Sequence, residues 1–237
     1  MDYWLFEHWL LDFLNHCVAS SNFISKQAVL FTSSLPDLII ACSIVALWFS
    51  NSFIPARSFK VRCKVLLMFF AFVPTYILAR LNQSIFHRPR PLISVPLELT
   101  PDLGLWNAQA HSSPWGSFPS DHAALFFIFN TIVFTINRKL GFFSLLFTVY
   151  CSLFRIGTGY QWPSDIIGGA LLGSLVALLF LSMESLLKNV LKELILQFKR
   201  HPAIAYTISF LFLSDFAQDF QQLKMIASQL FNIRLFH

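Results

Sequence analysis

The sequence predicts an all-α integral membrane protein, a bundle of five to six transmembrane helices with an N-terminal interfacial helix. Of its 237 residues, 56% are hydrophobic and only 12% are charged, and the mean hydropathy is +0.62. A soluble domain carries about 25% charged residues, so this composition excludes an ordinary soluble protein. The formal charge is +5, but the basic residues fall mainly in short loops. We therefore expect them to set membrane topology, and we expect no nucleic-acid partner, which would require a clustered basic face.

The four cysteines are scattered and form no C-x-x-C pair, so the sequence predicts neither a zinc site nor a disulfide framework. The first residues show no basic segment and no small-residue cleavage site, so we do not expect a removable signal peptide.

The N-terminal part predicts an interfacial helix followed by two spans. Residues 1–22 carry apolar side chains at helical spacing with acidic residues between them, and Trp4 and Trp9 suit the headgroup region. A first span is predicted over 28–49, interrupted at Pro36-Asp37. A basic loop over 51–64 then leads to a second span over 65–81.

The remaining chain predicts three or four further spans. A polar, proline-rich segment over 82–118 precedes a third span from Ser120 to about Asn137, a fourth over 140–158 and a fifth over 166–187. The apolar segment 203–216 is shorter than the roughly 20 residues that a crossing needs, so it is a marginal sixth span. We expect three regions: an interfacial helix (1–22), a transmembrane domain (23–216) and an amphipathic tail (217–237).

The loop charges predict the orientation. Loops 51–64, 138–139 and 188–200 hold ten of the seventeen Lys and Arg residues and lie on one side in this topology. By the positive-inside rule that side is cytoplasmic. Three polar islands, 83–91, 118–122 and 155–165, then meet at the outer face, where we expect one functional site.

The first island holds Arg88 and Arg90 in a segment stiffened by prolines. Guanidinium groups bind phosphate oxygens in a bidentate fork, which favours a phosphate site. Arg80, one helical turn before Gln83, is on the same helical face and can assist. A juxtamembrane basic anchor for lipid headgroups is the alternative.

The second and third islands supply acid–base and further cationic groups. Ser120 stands at a predicted helix start, where backbone N–H groups can hold an anion, and His122 in the first turn can move a proton. The alternative is a helix cap with an incidental histidine. Arg155 adds a third guanidinium, and a buried Asp165 can orient a neighbouring group by hydrogen bonding; a structural Arg–Asp pair is the alternative.

Together the islands resemble the type 2 phosphatidic acid phosphatase superfamily, over about residues 65–185. That family has three motifs: Lys, six residues, Arg-Pro; Pro-Ser-Gly-His; and Ser-Arg, five residues, His, three residues, Asp. Arg90-Pro91 fits the first with Gln83 in place of Lys, and Pro119-Ser120-Asp121-His122 fits the second with Asp121 in place of Gly. Arg155 and Asp165 fit the third at the family spacing, with Phe154 in place of Ser. The sequence looks most like the bacterial undecaprenyl-diphosphatase branch.

The resemblance implies hydrolysis of an isoprenoid diphosphate through a phosphohistidine, without metal or cofactor, at the outer face of the bacterial cytoplasmic membrane. It implies that His122 is the acid–base, that Asp165 orients the nucleophile and that Gln161 occupies the nucleophile position. The same resemblance implies a set of phosphate-contacting residues. They are Arg90, Arg88, Arg155, Ser120, Gln83 and Asp121.

Gln161 conflicts with this mechanism, because the lone pair of an amide nitrogen is delocalised into the carbonyl and cannot attack phosphorus. Two explanations stay open: an engineered substitution that traps a ligand, or a natural divergent member that binds a lipid phosphate without cleaving it or uses another route. Rival functions are a lipid A phosphatase or lipid phosphotransferase of the same fold, and a non-catalytic lipid-phosphate binder. A transporter is also a rival, although no internal repeat supports it.

Overall fold

The protein is described here by a computed structural model, which covers residues 2–50, 55–98 and 116–218. Within these ranges the chain forms α-helices and no strand, in agreement with the predicted class. Most of the predicted tail lies outside the described residues. In chain order the helices are α1 (Asp2–Ala19), α2 (Asn22–Thr32), α3 (Leu35–Phe49), α4 (Pro55–Phe86), α5 (Pro91–Ser94), α6 (Asp121–Ile136), α7 (Arg138–Gly157), α8 (Pro163–Ser182), α9 (Lys188–Arg200) and α10 (Pro202–Ala217).

The helices are membrane-like in length and composition, but fewer than predicted are unambiguous spans. In the described part, the stretch Ser58–Ser94 and the helices α7 and α8 are long and apolar enough to cross a membrane. The pair α2 and α3, bent by 54° at its break, forms a fourth crossing if it is one span. Helices α6 and α10 are apolar but shorter. The structure therefore supports three or four spans by these criteria.

Three predicted boundaries were wrong. The predicted basic loop over 51–64 is largely helical, because α4 begins at Pro55. The basic side chains of its first turns bind the C-terminal carbonyls of neighbouring helices: Arg62 Nε donates to Trp48 O at 3.3 Å and Lys64 Nζ to Thr135 O at 2.8 Å. Cations are favoured at helix C-termini, so these charges cap α3 and α6.

The other two errors are local. The predicted first span is broken at Ser33–Ser34 into α2 and α3, ahead of the proline at position 36, which favours the first turn of a helix. The predicted polar segment 188–200 is the amphipathic helix α9, whose Leu191 and Ile195 are buried in the bundle while its basic residues lie outside.

Helix α6 is the centre of the bundle and packs against α4, α7 and α8. Helix α8 crosses α6 closely, because Gly169 and Gly173 of α8 face the backbone of α6. A Cβ at Gly169 would collide with Ser120 O, and one at Gly173 would collide with Ala124 O. Small residues at i and i+4 allow this approach in membrane helices. The crossing brings the start of α6 against the start of α8, where Ser120 N donates to Asp165 O at 3.0 Å.

Helix α1 lies against this bundle with two different faces. Leu11 and Asn15 are buried, and Asn15 Nδ2 donates to Gly157 O at the end of α7 at 2.8 Å. Phe6, Trp9 and Phe13 are more than half exposed on the other face. An apolar outer face agrees with the predicted interfacial position, while the inner face fixes α1 to the ends of α7 and α8.

Candidate functional site

The site lies at one end of the bundle, opposite the end where Arg62 and Lys64 cap α3 and α6. It is assembled from the end of α4, the segment after it, the starts of α6 and α8, the end of α7 and the α2–α3 break. The structure brings together the residues of all three predicted islands. They are Gln83, Arg88, Arg90, Ser120, Asp121, His122, Arg155, Gln161 and Asp165.

Three guanidinium groups converge around His122 and Asp121. Arg80 Nη2 lies 2.7 Å from Asp121 Oδ2, and Arg155 Nη2 lies 3.2 Å from His122 Nδ1. The Arg90 and Arg155 guanidinium carbons lie 5.7 and 5.9 Å from the ring centre of Tyr160. Because these three cations lie close together with few acidic groups near them, the cluster is suited to bind an oxyanion.

The buried Nε atoms of Arg90 and Arg155 have no hydrogen-bond partner among the described residues. A buried donor without an acceptor is costly, and phosphate oxygens would supply acceptors for both groups. Tyr160 stands between the two guanidinium groups. Burial raises the pKa of its phenol, against the opposing effect of Arg155 and Arg90, so the group is neutral at ordinary pH.

His122 is held by two carboxylates on two helices. Its Nδ1 lies 3.0 Å from Asp121 Oδ1, which also accepts its backbone N–H at 2.9 Å. Its Nε2 lies 3.8 Å from Asp37 Oδ2 in the first turn of α3. In its protonated form, His122 can give a proton to a leaving oxygen.

Ser120 and Gln83 hold the islands in register. Ser120 Oγ accepts from Ala123 N at 3.3 Å as the N-cap of α6, so its hydroxyl hydrogen is available to another acceptor. Gln83 is buried; its Nε2 donates to Pro119 O at 2.8 Å and its Oε1 accepts from Arg80 Nη1 at 3.1 Å. Gln83 thus ties α4 to the segment before α6.

Gln161 is 1% exposed and lies beside the buried Asp165. In the amide orientation that satisfies its neighbours, its nitrogen donates to Asp165 Oδ2 at 3.2 Å and to Ser117 O at 2.9 Å. Gly159, at φ +75°, makes the turn that brings Gln161 back to the site. An imidazole N–H at this position would meet the same carboxylate; that Gln161 occupies the nucleophile position stays a prediction.

Asp165 is fixed from two sides. Its Oδ2 accepts the N–H of Trp162 at 2.8 Å, and its Oδ1 accepts from Arg88 Nη1 at 3.0 Å. Arg88 also lies over the Trp162 ring, 5.1 Å from its centre. Arg88 contacts Asp165, while Arg80, Arg90 and Arg155 lie around Asp121 and His122. The predicted contact of Arg88 with phosphate stays a prediction.

Arg88 connects Asp165 to α1 through Glu7, a residue that the sequence analysis did not single out. Arg88 Nη2 lies 2.9 Å from Glu7 Oε2. Glu7 Oε1 accepts the backbone N–H of Ser164 at 3.0 Å and also the hydroxyl of Ser164. Glu7 is 1% exposed. Its signal in the sequence was an acidic residue within an apolar helix, which also marks Asp37.

Comparisons with known proteins show which family and which relatives the sequence matches. The sequence model of the PAP2 superfamily matches residues 64–188. The chain is 29% identical over 153 residues to the Bacitracin transport permease protein BcrC of Bacillus licheniformis, covering 65% of this chain and 68% of that protein. It is 22% identical over 175 residues to the Undecaprenyl-diphosphatase BcrC of Bacillus subtilis (strain 168), covering 73% and 82%. No solved structure matches significantly.

Proposed function

Because this chain belongs to the PAP2 superfamily, we propose that it binds an isoprenoid lipid diphosphate at the arginine cluster, and that its site is that of a lipid phosphatase altered at Gln161. The observation that carries the proposal is the convergence of Arg80, Arg90 and Arg155 around Asp121 and His122. One of its relatives is named an undecaprenyl-diphosphatase, which supports this class of substrate.

We assign the phosphate contacts to Arg90 and Arg155, whose Nε atoms lack protein acceptors among the described residues. The Ser120 hydroxyl can donate to the same phosphate. Asp121 is assigned to hold Arg80 and His122, because its carboxylate would repel a phosphate directly. Arg88 is assigned to Asp165 rather than to the substrate.

With a histidine at position 161, the expected reaction has two steps. The imidazole attacks the terminal phosphorus, and Asp165 accepts the hydrogen bond from its other N–H. The bond between phosphorus and the bridging oxygen breaks, and His122 protonates that oxygen, which leaves on the lipid monophosphate. His122 then takes a proton from water, which attacks the phosphohistidine and releases inorganic phosphate. The arginines stabilise the charge on the equatorial oxygens in both steps.

With Gln161 the first step lacks a nucleophile, because an amide nitrogen has no available lone pair. Binding does not need that lone pair. Gln161 keeps the hydrogen bond to Asp165, so the surrounding groups stay in place. The chain is therefore expected to bind the lipid diphosphate and to turn it over very slowly.

The membrane placement follows from the charges. We propose that the end capped by Arg62 and Lys64 faces the cytoplasm and the site faces the outside of the inner membrane. We retain a bundle of five to six spans, in which α6 and α10 also cross. Each has 16 residues, about 24 Å in length. Helix α6 is central and is shielded from lipid along much of that length.

The test is Gln161→His, assayed for phosphate release from a long-chain isoprenyl diphosphate in detergent with a chelator present. The expected result is a large gain in turnover over the unchanged chain. The matched control is the double variant Gln161→His with His122→Ala, which should lose most of that gain, on the order of 10²–10⁴-fold. If the unchanged chain turns over as fast as the Gln161→His variant, the assigned mechanism is wrong.

The same assay separates the rivals. A chain that binds the diphosphate but gains nothing from Gln161→His is a non-catalytic binder. A lipid A phosphatase or a phosphotransferase would prefer another lipid, or would deliver the phosphoryl group to an acceptor other than water. One relative is named a transport permease, and flux of a substrate across reconstituted vesicles would be the evidence for that function in this chain.

A further inference from the structure

A long cavity lies beside the candidate site, between α3 and α10, with α4 and α9 closing its sides. Its volume is about 790 Å³. Its lining is almost entirely apolar, and most of it comes from helices outside residues 64–188, the part that the family model matches. The cavity is therefore a feature of the additional helices of this chain rather than of the family domain.

The cavity runs along the length of α3, from Ser34 at the site end to Phe49 at the basic end. At 1.5 Å per residue this is about 22 Å, which is more than half of the thickness of the hydrocarbon core of a bilayer. At the basic end an aromatic group closes it: Trp48 Nε1 donates to Tyr206 Oη at 3.3 Å, and the Trp48 and Phe198 ring centres are 4.5 Å apart. Ser34, Ser214 and Gln218 supply polar groups at its lining.

The site end of the cavity lies next to the arginine cluster, at the α2–α3 bend. Arg155 Nη1 donates to Thr32 O at 3.5 Å, two residues before Ser34 of the cavity wall. Asp37, one turn further along α3, lies 3.8 Å from His122 Nε2, and the next residue, Leu38, lines the cavity. The first turns of α3 therefore border both the phosphate-binding groups and the cavity.

The length and cross-section of the cavity accommodate a single hydrocarbon chain. A volume of about 790 Å³ spread over about 22 Å gives a mean cross-section of about 36 Å². A single hydrocarbon chain needs about 20 Å², judged from carbon contact distances of about 4 Å, and fits even with methyl branches.

We propose that this cavity holds the isoprenyl tail of the lipid whose diphosphate is bound at Arg90 and Arg155, with the chain passing over the α2–α3 bend at Ser33–Ser34. This inference rests on the proposed function and adds the chain-length selectivity. The tail leaves a lipid environment that is as apolar as the cavity wall. The favourable free energy of binding the tail therefore comes from packing against a fixed surface, and it is moderate. The additional helices α3, α9 and α10 would then select long single-chain substrates.

The test measures binding of two isoprenyl diphosphates, one of eleven isoprene units and one of three, to the full-length Gln161 chain in phosphatidylcholine nanodiscs. Val45→Trp fills the cavity, because Val45 lines it and is 43% exposed. The matched control is Ile39→Trp on the same helix, because Ile39 is 37% exposed but does not line the cavity. Neither residue belongs to the phosphate-binding cluster.

The expected result is a fall of about tenfold in affinity for the long-chain diphosphate in Val45→Trp, as overpacking a filled cavity implies. Affinity for the short-chain lipid, and both affinities in Ile39→Trp, should stay within about twofold of the unchanged chain. An equal loss for both chain lengths, or no loss for the long chain, overturns the cavity inference while the proposed function stands. If the unchanged chain binds neither diphosphate, both proposals fall.

A second measurement uses a thiol already in the cavity wall. Cys42 lines the cavity and is exposed, whereas Cys17 on α1 does not line it. The long-chain diphosphate should slow alkylation of Cys42 by a small apolar maleimide and leave Cys17 unaffected, and the short-chain lipid should slow neither. Equal protection of Cys42 by both lipids, or no protection by the long one, contradicts a tail in this cavity.

Discussion

Glu7 offers a sharp test of the view that α1 is part of the site. Glu7 Oε2 lies 2.9 Å from Arg88 Nη2, and Glu7 Oε1 accepts from Ser164 N at 3.0 Å. The substitution Glu7→Gln keeps the size of the side chain but removes its charge. It also turns an NH₂ group toward either Arg88 or Ser164, so one buried hydrogen bond is replaced by a donor facing a donor.

The magnitude follows from the surroundings of each partner. Breaking a buried ion pair costs about 3–5 kcal/mol, and a hydrogen bond to a charged group contributes about 1.5–3 kcal/mol. Arg88 keeps its contact with Asp165, and its side chain is 21% exposed, so water compensates part of the loss. We therefore expect Glu7→Gln to lower the free energy of unfolding by about 2 kcal/mol.

The assay is thermal unfolding of the purified chain in detergent, followed by intrinsic tryptophan fluorescence. For a chain of this size, about 1 kcal/mol corresponds to roughly 2–4 °C, so Tm should fall by about 4–8 °C. Asp12→Asn is the matched control, since Asp12 is an exposed carboxylate on the same helix. It should shift Tm by less than about 2 °C. A Glu7→Gln protein that melts within about 1 °C of the unchanged chain, or an equal shift in both variants, refutes the reasoning.

Four further outcomes are expected. In the Gln161→His background, Asp165→Asn should lower kcat on the order of 10³–10⁴-fold with little change in KM, because the new imidazole loses the group that orients it. Steady-state kinetics measure both constants, and an equal rise in KM would contradict this role of Asp165. Arg155→Lys should weaken binding of the lipid diphosphate by about 10-fold or more in a direct binding assay, since an ammonium group provides neither the bidentate fork nor the flat contact with Tyr160; unchanged affinity would remove Arg155 from the site. Gly173→Leu should destabilise the α6–α8 crossing by more than about 3 kcal/mol, seen as a lower Tm, and an unchanged Tm would contradict the close approach. Because the folded-state pKa of Tyr160 is raised, its phenol stays neutral from about pH 6 to about pH 9, so Tyr160→Phe should leave the pH profile of lipid binding unchanged over that window.

The sequence was informative where one residue type implies one chemistry. Charge patterning predicted that Arg62, Lys64 and the other loop cations gather at one end, and in the structure Arg62 and Lys64 do lie at the end opposite to the site. The polar islands predicted the convergence of Arg90, His122 and Arg155, because charged side chains in an apolar chain have few tolerable positions.

The sequence was less informative where geometry, rather than residue type, decides the outcome. The same basic residues that indicated a loop over 51–64 occupy the first turns of α4, because their side chains reach the carbonyls of Trp48 and Thr135. Arg88 and Arg90 are two residues apart and look equivalent in sequence. Their side chains nevertheless go to different partners, Arg88 to Glu7 and Asp165, and Arg90 to the side of Tyr160.

The amino-acid sequence by itself determined the membrane-like helical class, the chemistry available at the site and the chemical deficiency of Gln161 as a nucleophile, since these follow from side-chain type and spacing. The tertiary structure decided that Arg88 contacts Asp165 and Glu7, that Arg80, Arg90 and Arg155 lie around Asp121 and His122, and that a long apolar cavity runs beside the site. These depend on contacts between residues far apart in the chain, as between Glu7 and Ser164, which are 157 positions apart. Such contacts are fixed by how α1, α6 and α8 cross, and the glycines that allow the closest of those crossings act through the backbone and not through any chemistry of their own.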